Sequence, residues 1–163
     1  MELHEAYIKA ITAIGGDMEE EYSCYLTEEC EHAFESWLRT QPKANGVTLY
    51  RGYTFDRGFF EEGLWEEGGI VSQYSLSAGF HPAFTLSPMR AAIYINDYGN
   101  AYDELDRVKV LFELRTKGKY AVDVSALSVY PQEDEYHVTE DARFKVLSIK
   151  RTGGFTTIVM EEV

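Results

Sequence analysis

Apolar residues recur at helical spacing from the first turn of the chain. Leu3, Tyr7, Ala10, Ile11 and Ile14 share one side of a 3.6-residue period, and Gly15-Gly16 ends the pattern. Asp17 is placed to cap a longer second helix whose buried stripe is Tyr22, Leu26, Ala33, Phe34, Trp37 and Leu38. The stretch "TQPKANG" breaks that periodicity. From Val47 the period shortens to two. "VTLYRGY" reads as a strand, followed by an acidic, glycine-punctuated segment from Asp56 to Gly69. "AFTLSP" reads as the next strand, and Pro88 to Ile95 as a helix with proline in its first turn. "RVKVLFELR" and "YAVDVSAL" are strands around a Lys117-Gly118 turn; "EYHV", "RFKVLSIKR" and "FTTIVMEEV" complete the set, the last two joined through Gly153-Gly154. Helices come first and mostly antiparallel strands follow, which is the α+β class. There is no internal repeat and no linker-like stretch, so the expectation is one domain over residues 1–163, with a helical part over 1–42 and a β-rich core over 47–163.

Composition narrows the function classes. The 163 residues are 45% hydrophobic and 14% aromatic, enough to bury a core and too apolar for a disordered chain. A formal charge of −13 leaves no basic surplus to neutralise phosphates, which argues against a nonspecific nucleic-acid binder; it favours basic protein partners only weakly. Cys24 and Cys30 lie six apart, on different sides of a helix, so neither a disulfide nor a shared metal site is expected. The opening "MELHEAYIKAITAIGG" has no basic n-region and no continuous apolar run, and no stretch is long enough to span a bilayer. The expectation is a cytoplasmic protein without membrane partners. His4, His32, His81 and His137 stand isolated in sequence, so no metal is expected either.

Candidate chemistry concentrates in "SVYPQEDEYHV", residues 128–138. Glu133 and Glu135 are two apart at the entry to a strand, where they would share a face with side chains roughly 7 Å apart. Like charges side by side gain nothing structurally. Either they are solvated decoration, as Glu61-Glu62 and Glu66-Glu67 are taken to be, or they are a reaction centre. Two more features precede them: Arg51-Gly52 in "LYRG", and "AFTLSPMRAAIY", a strand bearing a hydroxyl that runs into a helix bearing an aromatic.

In this order, residues 47–163 resemble the mono-ADP-ribosyltransferases of the arginine–serine–glutamate type, which include bacterial toxins and bacteriophage enzymes. The resemblance implies a split, two-sheet ADP-ribosyltransferase core behind N-terminal helices. NAD would be the substrate, lying in the cleft between the sheets. Residue by residue, it implies that Arg51 grips the pyrophosphate, Gly52 lets backbone approach the nicotinamide amide, and Tyr94 stacks on nicotinamide. Glu135 would stabilise the oxocarbenium-like transition state, and Glu133 would guide an acceptor arginine on a target protein; Tyr130 in the preceding turn could pack on that target. The family's Ser-Thr-Ser motif is the weakest match. In one register "Ala83-Phe84-Thr85" occupies it, so the first serine, which in the family braces the catalytic glutamate, is missing and Thr85 is the hydroxyl left. In another, Ser75 and Ser77 of "YSLS" supply a Ser-x-Ser, but Pro82 interrupts the helix that should follow. Two other readings remain open at this stage: an NAD glycohydrolase passing ADP-ribose to water, and a non-enzymatic acidic protein-binding module.

Overall fold

The computed structural model describes residues 1–11, 20–77, 81–98 and 106–163. Eight strands form one hydrogen-bonded sheet: β1 (Asn45–Asp56), β2 (Ile70–Ser72), β3 (Ala83–Thr85), β4 (Arg107–Lys117), β5 (Ala121–Asp123), β6 (Glu135–Val138), β7 (Arg143–Thr152) and β8 (Phe155–Glu162). Their spatial order is β2-β7-β8-β4-β1-β3-β6-β5, and every pairing is antiparallel except β4 with β8. The sheet is nearly two. β1 runs beside β4 along most of its length, whereas it meets β3 at the single pair Tyr50↔Thr85. The five strands from β2 to β1 and the three from β3 to β5 are therefore two blocks hinged at one residue pair, in line with the α+β class expected from the pattern and the split core that the resemblance implies.

Strand alternation sorts the side chains. Leu49 and Phe55 of β1, Phe112 of β4, Ile158 of β8, Phe84 of β3 and Val138 of β6 are buried together in the central core. Phe84 and Val138 face that core, so Thr85, Glu135, His137 and Val122 face the other way. There α1 (Leu3–Ala10) and α2 (Glu28–Thr40) cover β5 and β6, and Tyr7, Ile8, Phe34 and Leu38 close a second, smaller core over Val122 and Val124. α4 (Pro88–Tyr98) lies along β1 on that same side, against Gly52.

The helical part departs from expectation in its boundaries. Glu20–Tyr25 is a 3₁₀ turn, and α2 begins only at Glu28, capped by Thr27, whose hydroxyl oxygen accepts from the Cys30 amide at 3.2 Å. The stripe thus breaks at Leu26; Asp17, proposed as the cap, lies outside the described residues. Cys24 and Cys30 fall on different elements and both thiols are free. Two further short elements do not show in the pattern: α3 (Arg57–Glu62), inside the segment read as acidic and glycine-punctuated, and edge strand β2, just after it. Phe60 of α3 and Val71 of β2 are buried in the core, with Phe59 and Trp65 packed against it, too few to show a period.

Candidate active site

The two glutamates are not strand neighbours on one face. Pro131–Glu133 is a 3₁₀ turn, Asp134 follows in the left-handed region at φ +48°, and β6 starts at Glu135. The left-handed residue turns the chain by a corner between the carboxylates, so the i, i+2 geometry of a strand does not apply. Both are nonetheless buried, Glu133 at 9% exposure and Glu135 at 0%. Solvated decoration is excluded for these two. Tyr130, just before the turn, is exposed.

Thr85 stands directly opposite Glu135 across the β3–β6 ladder, and Ala83 stands opposite His137. The position facing Glu135 therefore carries a hydroxyl. Thr85 Oγ1 donates to the Glu133 carbonyl at 2.8 Å and accepts from the Ser87 amide at 3.2 Å, tying the turn that carries Glu133 to the start of α4. From α4, Tyr94 Oη reaches Glu133 Oε1 at 3.4 Å. α4 can lie close enough because residue 52 has no side chain: a Cβ there would sit 1.9 Å from the Ala91 carbonyl oxygen. The room that glycine provides is thus taken by α4. Ser75 closes a 3₁₀ turn and Ser77 lines a neighbouring cavity, so "YSLS" does not face Glu135 across the ladder.

Arg51 approaches from the other side. By alternation it shares the face of Leu49 and Tyr53, and its guanidinium lies 4.9 Å from the Tyr53 ring centroid. It is buried, and donates to the Leu76 carbonyl at 3.4 Å and to the Ala83 carbonyl at 3.1 Å. Burial pulls its pKa down to about 10, so it stays charged at neutral pH. The fork spans the junction where β1 and β3 diverge, ending on the backbone two residues from Thr85. Thr85, Glu133, Glu135 and Tyr94 are therefore brought together at the hinge between the two strand blocks, whereas Arg51 lies on the opposite face of β1 and meets the hinge at the Ala83 carbonyl.

A cavity of about 380 Å³ opens between the N-terminal helical part and Gln73, Tyr74, Ser77, His81 and Pro82. Its walls include Glu28, Glu31 and Glu140; burial, reinforced by the negative field of the last two, pushes the Tyr7 phenol well above its ordinary pKa. Such a lining suits a cation better than a pyrophosphate. Glu31, His81 and Glu140 hold ligand atoms within 4.8 Å of one another, the spacing a metal ion could bridge. His81 already bonds Glu31 at 3.2 Å; burial, then proximity to His137, hold its imidazole below the usual pKa against the pull of Glu31. A second hollow, about 400 Å³ and lined by Arg57, Arg107, Lys109 and Arg151, lies beyond the C-terminal end of β1.

Sequence reasoning passed over His137, whose Nε2 is 2.7 Å from Glu135 Oε2. The signal was present: Glu135 and His137 are i and i+2 on a strand, and such residues share a face.

No family model matches this chain, and no curated protein matches it by sequence. Solved structures do. The Vis toxin, an ADP-ribosyltransferase from Vibrio splendidus solved with agmatine, matches at TM-score 0.66 and 20% identity over 99% of this chain and 67% of that one. Plx2a, an ADP-ribosyltransferase toxin from Paenibacillus larvae, matches at TM-score 0.62 and 18% identity, covering 100% and 87%. Exoenzyme S from Pseudomonas aeruginosa, solved with carba-NAD, matches at 0.59 and 17%, covering 98% and 68%. The chain spans about two thirds of the Vis chain. Its fold is that of the bacterial ADP-ribosyltransferases.

Proposed function

We propose that this chain, having the fold of the bacterial ADP-ribosyltransferases, transfers ADP-ribose from NAD to a nucleophile on a target protein, with arginine the acceptor residue. The observation that carries the reading is the row Tyr50–Thr85–Glu135 at the hinge of the sheet. Along that row a wholly buried carboxylate lies near a second one and an aromatic from α4, and a buried guanidinium meets the Ala83 carbonyl of β3 from the opposite face; this grouping supports the reading. A buried carboxylate is costly to keep, and Oε1 of Glu135 has no hydrogen-bond partner among the described residues. An acceptor oxygen left open in this way fits a ribose hydroxyl. The absence of exposed surface means that neighbouring side chains move aside when NAD enters.

In the reaction the C1′–N bond of NAD breaks and its electron pair leaves with nicotinamide, whose positive charge is thereby neutralised. Positive charge develops on the ribose, as in other glycosyl transfers. Glu135 lowers the energy of that cation, most effectively in a site that excludes water. The acceptor nitrogen attacks C1′ and its proton passes to Glu133, a general base on the neighbouring turn. Tyr94 provides the ring beside nicotinamide and aligns Glu133. Arg51 supplies positive charge for the pyrophosphate, a role suited to a guanidinium that burial leaves protonated.

The test is incubation with labelled NAD and a cell lysate. Glu135→Ala should lower both transfer and nicotinamide release by about 100-fold or more, while Glu133→Gln should lose transfer and keep NAD hydrolysis. Equal labelling by wild type and Glu135→Ala would refute the site. Nicotinamide release by wild type with no labelled acceptor would make the chain an NAD glycohydrolase instead. Salt-sensitive partner binding with no NAD turnover at all would favour the acidic binding module.

A further inference from the structure

We propose that His137 is the positioning residue of the Glu135 carboxylate, an inference that rests on the reading of Glu135 as the catalytic group. Glu135 is 0% exposed and its hydrogen-bonded partner among the described residues is the imidazole of His137, itself 1% exposed, at 2.7 Å. A carboxylate only accepts, so Nε2 carries the proton and Nδ1, buried without a partner, is the other ring nitrogen. The alternative brace is Thr85, across the ladder. Its hydroxyl has one proton, and that proton is committed to the Glu133 carbonyl at 2.8 Å. The task therefore passes from a hydroxyl on the neighbouring strand to an imidazole on the same strand as the acid.

The surroundings hold that imidazole in one orientation. Ala83, across the ladder from His137, is small enough to leave room for the ring. Phe34 of α2 meets it edge-on, centroids 5.5 Å apart with planes at 86°. His137 thus divides the carboxylate: Oε2 is held, and Oε1, with no partner, is the oxygen presented for substrate. The same contact makes the N-terminal helices a support of the active site, since Phe34 is fully buried in their core.

The experiment is steady-state kinetics with NAD on the full chain, comparing wild type, His137→Leu and His137→Gln. The glutamine amide nitrogen can occupy the place of Nε2. His137→Leu should lower kcat by about 10- to 100-fold, as loss of an outer-shell orienting partner does elsewhere, with KM for NAD changed by less than about threefold. His137→Gln should recover most of the loss. A leucine variant with wild-type kcat, in a protein that Glu135→Ala inactivates, overturns the inference and leaves the reading of Glu135 standing. A glutamine variant as impaired as the leucine one also overturns it. Should the wild type not turn NAD over, the reading itself fails, and a double-mutant cycle of unfolding midpoints judges the contact alone. His137→Leu combined with Glu135→Leu should then cost less than the two single changes added, and strict additivity overturns the pairing.

Discussion

Gly52→Ala tests how the sheet and α4 position Tyr94. A Cβ at residue 52 would lie 1.9 Å from the Ala91 carbonyl oxygen, 2.8 Å from its carbon and 2.9 Å from Ile95 Cγ1. Two of these three atoms are helix backbone, which no rotamer change can move away. Ordinary contact begins near 3.4 Å, so α4 must retreat by about 1.5 Å from β1. Ala91 and Ile95, at 0% and 4% exposure, would lose the surface they bury. We expect a loss of about 3 kcal/mol, at the upper end for an overpacked core, and a melting temperature lower by roughly 6–12 °C for a chain of this size. Because Tyr94 rides on α4, the same shift should draw its hydroxyl out of reach of Glu133 and lower transfer activity at a temperature where the variant is still folded. Gly58→Ala is the control: nothing lies within 4 Å of the added Cβ, and its helical position should tolerate or welcome alanine. The assays are a thermal melt and labelled-NAD turnover. If Gly52→Ala melts within about 1 °C of wild type, with Gly58→Ala unchanged, the helix does not pack on this glycine and the link from β1 to Tyr94 fails.

Other consequences follow from single contacts. Thr85→Val keeps the shape but strands the Glu133 carbonyl and the Ser87 amide, so it should cost about 1–3 kcal/mol in urea unfolding and impair transfer; Thr85→Ser should restore most of both, and equal behaviour of the two variants would refute the role of the hydroxyl. Glu162 accepts from the amides of Lys117, Lys119, Tyr120 and Ala121, so Glu162→Ala should destabilise by about 3 kcal/mol, read as a lower urea midpoint; an unchanged midpoint would show that the turn between β4 and β5 holds without it. Burial raises the Glu35 pKa above its ordinary 4.5, despite the bond from the Glu140 amide and the nearby Arg39. The folded state then binds more protons than the unfolded one just above pH 4.5, so this group's contribution falls as pH rises through that window. Glu35→Gln, which keeps an acceptor for the amide, should flatten that part of the stability–pH curve, and an identical slope in melts across the window would contradict the assignment.

Much of the fold was legible because periodicity is a local property. The alternation in "RVKVLFELR", "RFKVLSIKR" and "FTTIVMEEV" specifies strands with one buried face whatever their partners, and Pro88 starts a helix by its own fixed φ. The order of Arg51, the hydroxyl strand and the paired acids is likewise written in the chain. What local pattern could not supply was any feature that depends on which backbone lies alongside. α3 and β2 carry too few apolar residues to show a period, and are held by contacts of Phe60 and Val71 with a core assembled from distant segments. The start of α2 was decided by where a side chain could meet a free amide, Thr27 at Cys30.

The candidate site shows the same division. Residue types and their order marked Glu133 and Glu135 as unusual, since two acids beside a strand must be either solvated or used. Tertiary structure decided the rest. A left-handed residue at Asp134 turned the two carboxylates out of a common strand face, and strand register put Thr85 rather than Ala83 across from Glu135. Packing of α4 on Gly52 brought Tyr94 to Glu133, and burial against Phe34 made His137 a partner of Glu135. A sequence states which groups are present and how far apart they lie along the chain; hydrogen bonds and buried charges depend on distances through space, and those exist only once the two blocks of strands have closed around their single shared pair.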